Sequence, residues 1–330
     1  MGKKVLLTQP IHPDAIARLR EEAEVVIAES TEESVVKKAI KDADGAIVRV
    51  SPFTRAIIES GDKLKVIGRH GVGLDNIDVK AATEHNIPVV YAPGSNTNAV
   101  AEHAVTLMLA LAKKLLQAHT ALTQRGDYQC RLTIRTGEIK DKVVGIVGLG
   151  QIGRRVAAIC QHGFGAKLIT YDPYLSQETL QSSGLKVKVV AKLDDLLQEA
   201  DFVSLHAPAT PDNRKLIGTR ELALMKKSAF LINTGRGELV DEEALYQALT
   251  QGIISGAGLD VFDPEPPEQG NPLFGLPNVV VTPHMAAHSE EGLRMMAMMA
   301  AEQVLQVLRG ERPPHLANPQ IWESRRFKQS

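Results

Sequence analysis

Residues 143–153 read VVGIVGLGQIG, and this short stretch decides the fold. The apolar run 143–147 is typical of a buried strand, and a helical pattern follows over Ile152–Cys160. Three glycines stand at the junction of the two patterns. A strand, a glycine-rich turn and a helix in this order predict a dinucleotide-binding unit, because the helix N-terminus offers a favourable place for phosphate charge.

The three glycines have different physical roles. Gly148 permits a tight turn, Gly150 lets the backbone approach a pyrophosphate, and Gly153 lets the helix pack closely on the strand. We expect Gln151 and Ile152, at the start of the helix, to contact the same ligand. The alternative is a glycine-rich turn that serves structure alone.

An acidic residue in the right place identifies the kind of dinucleotide. Asp172 ends the next predicted strand, about 20 residues after the glycines, where an acid binds a ribose 2′-hydroxyl. Its charge would repel a 2′-phosphate, and the following Pro173-Tyr174 supplies no arginine to accept one. The sequence therefore predicts NAD rather than NADP.

The whole chain alternates β-rich runs with helical patterns, which is typical of parallel βαβ architecture. We expect strands at Val5–Leu7, Val25–Ala28, Ala46–Val50, Leu64–Ile67, Pro88–Tyr91, Val143–Val147, Leu168–Tyr171, Val187–Val190, Phe202–Leu205, Ala229–Asn233, Ser255–Leu259 and Val279–Val281. Among the helical patterns we expect Asp14–Glu22, Ser34–Ile40 behind a capping box of Ser30 and Glu33, a long Ala/Leu-rich helix over Ala99–His119, and Glu290–Leu308. Gln124–Asp141 is polar and irregular, as in an arm or loop.

Composition excludes several classes of protein. A chain of 330 residues is longer than one hydrophobic core usually organises, which favours two domains. Lysine and arginine (38) balance aspartate and glutamate (39), so no basic excess favours nucleic-acid binding. The two cysteines lack the spacing of a zinc site, which favours a reducing, cytoplasmic setting and no metal. No apolar run is long enough for a membrane span.

Three late segments place polar groups directly after predicted strands. They are residues 232–237 with Arg236, 258–267 with Glu265, and 281–284 with His284. Carboxyl ends of parallel strands gather at one edge of a sheet, where ligands of open α/β sheets bind. Each residue alone has a simpler explanation, as a surface cation, a solvated acid or an ordinary histidine, but their shared position predicts a site.

Taken together, the motifs resemble the D-isomer-specific 2-hydroxyacid dehydrogenases over nearly the whole chain. The resemblance covers Arg69–Gly73 with Asp75-Asn76, the stretch Asn96–Glu102, the glycine turn and the three late segments in order. It implies two doubly wound parallel-sheet domains: a Rossmann NAD-binding domain over 99–287, and a discontinuous flavodoxin-like substrate domain from 1–98 and 288–330, with the substrate in a cleft. It also implies a homodimer built through the Ala/Leu-rich helix and the arm.

The resemblance also implies roles for individual residues. Arg236 would bind the carboxylate and carbonyl of the substrate, His284 would be the acid/base, and Glu265 would pair with His284. The further residues expected at the cofactor are His206, Pro208, Thr234, Gly235, Asp260 and Ala287, and those expected at the substrate carboxylate are Arg49, Val72, Gly73 and Asn96. For Arg49, a plain surface charge remains an equal alternative.

The chemistry of hydride transfer to a 2-oxo acid needs the same groups. A planar guanidinium such as Arg236 can hold a carboxylate while polarising the neighbouring carbonyl. A histidine such as His284 can supply a proton near neutral pH, and a carboxylate beside it, here Glu265, favours the charged imidazole. We therefore expect an oxidoreductase that interconverts a small D-2-hydroxy acid and its 2-oxo acid with NAD(H).

Two alternatives and one open question remain. A formate-dehydrogenase-like enzyme would be expected to carry Gln in place of Glu265, and a non-catalytic NAD-sensing protein would not need the full set of Arg236, Glu265 and His284. Whether the substrate carries a phosphate is the open question, because Arg69, Arg131 and Arg135 could bind a phosphate or be solvated. The loop after His284 departs from the glycine of many relatives and reads Met285-Ala286-Ala287-His288, so His288 could shape the pocket.

Overall fold

The computed structural model describes residues 2–326, and the chain divides into two compact units. The first unit runs up to Asn96 and resumes at His288, while the second is Thr97–Ala287. The ends of the expected substrate domain, residue 1 and residues 327–330, lie outside the described residues.

The first unit contains a parallel sheet of five strands in the order β2-β1-β3-β4-β5. Since β3 follows β2 in the chain but pairs with β1 on its other side, the winding direction reverses there, as in flavodoxin-like folds. The strands are β1 (Lys3–Leu7), β2 (Ala23–Ile27), β3 (Gly45–Val48), β4 (Val66–Arg69) and β5 (Val89–Val90).

The second unit contains a parallel sheet of seven strands in the order β12-β11-β10-β9-β6-β7-β8. The chain winds outward from β6 over β7 to β8 and then returns to the other side of β6 with β9, which is the Rossmann arrangement. The strands are β6 (Val143–Val147), β7 (Lys167–Tyr171), β8 (Val187–Val189), β9 (Phe202–Leu205), β10 (Phe230–Asn233), β11 (Gly256–Leu259) and β12 (Val279–Val281).

Helices connect the strands in both units. The α-helices are α1 (Pro13–Arg20), α2 (Glu33–Ile40), α3 (Arg55–Glu59), α4 (Val79–Glu84), α5 (Thr97–Ala112), α6 (Leu115–Arg125), α7 (Gln151–Ala158), α8 (Gln177–Ser182), α9 (Leu193–Glu199), α10 (Thr219–Leu224), α11 (Glu242–Thr250) and α12 (Glu290–Arg309). Among residues 2–326, no helix combines the length and the apolarity that a membrane span requires.

Glycines in the strands allow helices to lie close to each sheet. In the second unit, a Cβ on Gly258 would come 2.9 Å from the Cβ of Leu107 in α5. In the first unit, a Cβ on Gly68 would come 2.6 Å from a methyl group of Val304 in α12. The small residues in the strands are therefore explained by packing, and α5 and α12 bury most of their apolar side chains against these surfaces.

The two doubly wound parallel sheets expected from the sequence are confirmed. Every expected strand is present, with ends that differ by at most two residues. The single long helix expected over Ala99–His119 is wrong: α5 ends at Ala112, Lys114 takes a left-handed conformation with φ of 49°, and α6 begins at Leu115. The apolar pattern continues through the break at exposed leucines of α6, so it gave no sign of the left-handed residue that separates the two helices.

The expected capping box ahead of α2 is also wrong. Glu32 is the residue that precedes the helix, and no side chain caps it. The hydroxyl of Ser30 accepts a hydrogen bond from the Glu32 N–H, and the Glu33 carboxylate accepts one from Thr54 at 2.9 Å. A tertiary contact with the next helical segment therefore replaces the local cap.

Candidate active site

The glycine turn after β6 leaves space for a ligand at one position only. Gly148 has a φ of 88°, and a Cβ there would lie 2.9 Å from the backbone nitrogen of Ala207. A Cβ on Gly153 would lie 2.2 Å from the carbonyl oxygen of Gly148. A Cβ on Gly150 would meet nothing within 4 Å, so the backbone there is open to a phosphate at the start of α7.

Asp172, at the end of β7, is bound to the same turn. One carboxylate oxygen accepts a hydrogen bond from the Leu149 N–H at 2.8 Å, and the other accepts one from the Tyr174 N–H at 2.9 Å. A carboxylate offers about four lone-pair sites, so it can accept ribose hydroxyls in addition. The ribose role of Asp172 was predicted from the sequence, whereas its second role as an anchor of the glycine turn was not.

Loops after β9 and β10 carry buried polar atoms that have no hydrogen-bond partner among the described residues. The atoms are Nδ1 of His206 and Oγ1 of Thr234. The other ring nitrogen of His206 is 2.8 Å from the Ser204 hydroxyl, and burial lowers the pKa of His206 to about 4, so the ring is neutral. Buried polar atoms are rarely left unsatisfied in folded proteins, and these two therefore fit a bound polar ligand such as a dinucleotide.

His284 and Glu265 form the central pair of the site. Nδ1 of His284 lies 2.6 Å from Oε2 of Glu265, and Oε1 accepts a hydrogen bond from the Phe262 N–H at 3.1 Å. Because a carboxylate can only accept, Nδ1 carries the hydrogen, and Nε2 is the ring nitrogen left for proton exchange with a ligand. About half of the His284 side chain (52%) is exposed, so the ring is accessible.

The pair raises the pKa of one partner and lowers that of the other. The hydrogen bond to Glu265 raises the pKa of His284, and the charges of Glu265 and Asp260 add to this effect, while burial opposes it. Burial acts to raise the pKa of Glu265, but the hydrogen bond and charge of His284 outweigh it and leave the pKa below its ordinary value. The site therefore favours a charged imidazole beside a charged carboxylate.

Arg236 follows β10 and belongs to the same neighbourhood. Its carbonyl accepts a hydrogen bond from the Asn233 side chain at 2.8 Å, and its Nη1 donates to the Gly235 carbonyl at 2.8 Å. Its positive charge acts to lower the pKa of both His284 and Glu265, as expected of a cation near the pair.

The Arg236 loop packs directly on the segment that leads to Glu265. A Cβ on Gly237 would lie 1.9 Å from the carbonyl oxygen of Phe262, so only glycine allows this approach. Asp263 is held in turn by Arg214 at 2.7 Å, and its N–H donates to Glu242 at 2.9 Å. These contacts hold the segment after β11 against the loops after β9 and β10 and against the start of α11.

Asp260, at the end of β11, holds the loop that carries His284. Its carboxylate is fully buried and accepts hydrogen bonds from the Thr282 hydroxyl at 2.6 Å and from the N–H groups of Met285 and Ala286, both at 2.9 Å. The Asp260 carbonyl accepts the His284 N–H at 2.7 Å. Asp260 was expected at the cofactor, and its role in holding this loop was not predicted. Ala287 follows directly and ends the second unit.

The expected substrate residues lie in the first unit, at the carboxyl edge of its sheet. The Arg49 N–H donates to the Thr8 hydroxyl at 3.3 Å, and its guanidinium donates to the Pro10 carbonyl at 3.2 Å. Val72 and Gly73 belong to the turn after β4, and a side-chain oxygen of Asn96 is buried without a hydrogen-bond partner among the described residues.

Two of the three arginines considered for a phosphate, Arg69 and Arg131, have structural contacts. Arg69 donates to the carbonyls of Gly73 at 2.6 Å, His70 at 2.8 Å, and Arg49, so it fixes the turn after β4. The Arg131 guanidinium lies 4.4 Å from the centre of the Tyr128 ring, in the arm. Within residues 2–326, no group of three or more His, Cys, Asp or Glu side chains is placed to hold a metal ion.

Comparisons with known proteins point to one family. The model of the family "D-isomer specific 2-hydroxyacid dehydrogenase, NAD binding domain" matches residues 105–286. A D-3-phosphoglycerate dehydrogenase of Methanocaldococcus jannaschii is 46% identical over 96% of this chain, which spans 59% of that relative's length. A glyoxylate reductase of Korarchaeum cryptofilum is 35% identical, with 97% of each chain covered.

A solved structure extends the likeness to the cofactor. The NAD-complexed D-isomer specific 2-hydroxyacid dehydrogenase of Lactobacillus delbrueckii ssp. bulgaricus superposes with a TM-score of 0.80 at 29% identity, covering 96% of this chain and 100% of the other. The family match and this complex confirm the expectation of NAD. The glycine turn, Asp172 and the open position at Gly150 fit that cofactor.

Proposed function

Because the chain belongs to the D-isomer specific 2-hydroxyacid dehydrogenase family, we propose that it transfers a hydride between NAD(H) and a small D-2-hydroxy acid or its 2-oxo acid. The observation that carries this proposal is the 2.6 Å contact between Glu265 and an accessible His284 whose pKa is raised. Such a pair can hold a proton at neutral pH and release it when charge develops on a neighbouring oxygen.

His284 acts as the acid/base in this proposal. In reduction, the charged imidazole donates its Nε2 proton to the oxygen of the substrate carbonyl. In oxidation, the neutral imidazole accepts the hydroxyl proton at the same nitrogen. Glu265 keeps Nδ1–H bound in both directions, which fixes the ring orientation and stabilises the charged form.

Arg236 binds the substrate in this proposal, because its planar guanidinium can hold a carboxylate and polarise the adjacent carbonyl. NAD(H) supplies or accepts the hydride when it is bound. We propose that the first unit is the substrate domain, in which Arg49, the backbone of Val72 and Gly73, and Asn96 bind the substrate carboxylate. The proposed cofactor contacts are Gly148, Gly150, Gln151, Ile152, Gly153, Asp172, His206, Pro208, Thr234, Gly235, Asp260 and Ala287.

Glu265 argues against the two alternatives. An enzyme that oxidises formate removes a hydride but transfers no proton to a base. It therefore does not need a carboxylate that stabilises a charged His284. A protein that only senses NAD has no need for a histidine with a raised pKa beside a cation. Relatives are named for phosphoglycerate and for glyoxylate, so the substrates to compare include a phosphorylated 2-oxo acid and glyoxylate.

A panel of substrates tests the proposed activity. We expect NADH oxidation, followed by absorbance, with at least one of glyoxylate, hydroxypyruvate, pyruvate and a phosphorylated 2-oxo acid. His284→Gln should lower the rate of this reaction at least about 100-fold, the lower end of the usual contribution of a general acid. Binding of NADH without turnover of any 2-oxo acid would support a sensor, and NADH production from formate would support the formate enzyme. Either result contradicts the proposal.

Asp172 tests the choice of cofactor. Asp172→Ser removes the charge, so kcat/KM should fall for NADH and the ratio of NADPH to NADH activity should rise about tenfold or more, equivalent to about 1.4 kcal/mol. Asp172 also anchors the Leu149 N–H, so Asp172→Asn serves as the matched control that keeps an acceptor for that contact. The ratio should rise in both variants, and an unchanged ratio would show that Asp172 does not face the ribose.

We also propose a homodimer formed through α5, α6 and the arm. This region exposes a group of large apolar side chains, namely Leu115, Leu116, Leu122, Tyr128 and Leu132. Contiguous exposed apolar surface is typical of an interface. Light scattering at micromolar concentration should give twice the 35.8 kDa mass of one chain, and a mass near that of one chain would contradict the dimer.

A further inference from the structure

A histidine in α5 lies behind the loop that carries His284. Nε2 of His103 is 2.8 Å from the Thr282 hydroxyl oxygen and 3.6 Å from Oδ1 of Asp260. The His103 side chain is mostly buried, with 18% exposed. No sequence motif and no cofactor or substrate contact proposed above uses it, so its contacts need a separate explanation.

The hydrogen bonds in this group have a definite direction. The Asp260 carboxylate already accepts the N–H groups of Met285 and Ala286, so it acts as an acceptor, and the single hydroxyl proton of Thr282 points to it across 2.6 Å. Thr282 then has only lone pairs to offer to His103. Nε2 of His103 must therefore carry a hydrogen and donate it, which gives a chain from His103 through Thr282 to Asp260.

The far end of this chain is the backbone of the proposed acid/base. His284 has a φ of 49°, a left-handed conformation that residues with a side chain rarely adopt. Such a conformation persists only where its surroundings hold it. Here Asp260 supplies these contacts. Its carbonyl accepts the His284 N–H, and its carboxylate accepts the Thr282 hydroxyl before His284 and the Met285 and Ala286 N–H groups after it.

We propose that His103 is a positioning residue for His284: its donation to Thr282 orients that hydroxyl onto Asp260, and the Asp260 carboxylate then keeps the His284 loop in its left-handed conformation. The inference rests on the proposed function only in that His284 is taken to be the acid/base. The alternative is that His103 merely fills space between α5 and the loop.

Two substitutions separate these roles. His103→Phe keeps the ring volume but removes the donor, whereas His103→Gln keeps an N–H donor at similar reach. We expect His103→Phe to lower kcat for 2-oxo acid reduction about tenfold, the effect of one hydrogen bond lost around a buried charge, and His103→Gln to recover most of it. KM for the 2-oxo acid should change by less than about twofold, because the Arg236 loop is held by other contacts. His162→Gln, an exposed histidine of the same unit, is the control.

A double substitution tests the route through Thr282. Thr282→Val removes the hydroxyl with little change in shape, and it should lower kcat to a similar extent as His103→Phe. If the two residues act in one chain, the double variant is no worse than the more impaired single variant. Losses that multiply would show that His103 acts independently of Thr282, and the proposal would be wrong.

Nuclear magnetic resonance of the imidazole rings gives a readout that needs no turnover. His284 signals are assigned from their absence in His284→Gln, and thermal melting confirms that each variant is folded. At fixed pH, His103→Phe should move the His284 signals, while His103→Gln and His162→Gln should leave them near their original positions. If no 2-oxo acid is turned over, the proposed function fails but this measurement still decides: unmoved His284 signals in folded His103→Phe overturn the inference.

Discussion

The parallel pairing of β6, β9, β10, β11 and β12 is the constraint on which the site depends. In such a sheet every strand ends at the same edge, so loops that are far apart in the sequence meet without any long-range recognition between them. The glycine turn, His206, Arg236, Asp260 and His284 follow these strands in order. Backbone hydrogen bonding in the sheet therefore brings the loops of the site together, and side-chain contacts fix the individual groups.

Two buried or half-buried carboxylates then fix the loops at that edge. Asp172 accepts the Leu149 N–H of the glycine turn, and Asp260 accepts the N–H groups of Met285 and Ala286 beside His284. Hydrogen bonds to a charged acceptor contribute about 1.5–3 kcal/mol each, enough to hold a loop in a conformation it would not otherwise adopt. In both cases an acid at a strand end organises the neighbouring loop rather than merely facing a ligand.

The parts of the fold that were predictable depend on local patterns. The glycine turn, the strands and the Arg236, Glu265 and His284 segments each combine a regular periodicity with residues at fixed offsets. The break at Lys114, a left-handed residue between two helices, left no signal in the apolar pattern, whereas the cap of α2 was mispredicted because a tertiary contact decides it. The anchoring roles of Asp172 and Asp260, the use of Arg69 on carbonyls, and the position of His103 were missed for the same reason. For His103, the available signal was a polar residue within a helix whose neighbours are mostly apolar.

The central claim is that Glu265 keeps His284 charged so that it can donate a proton as the hydride arrives. The most direct measurement is kcat/KM against pH in both directions, for one substrate pair at constant ionic strength, in the native protein, in Glu265→Gln and in the neighbouring control Glu268→Gln. Since a nearby carboxylate raises an imidazole pKa by roughly 1–3 units, its loss should move the fall of reduction to lower pH and let oxidation persist further into acid. Profiles that keep their native midpoints in Glu265→Gln would contradict the account.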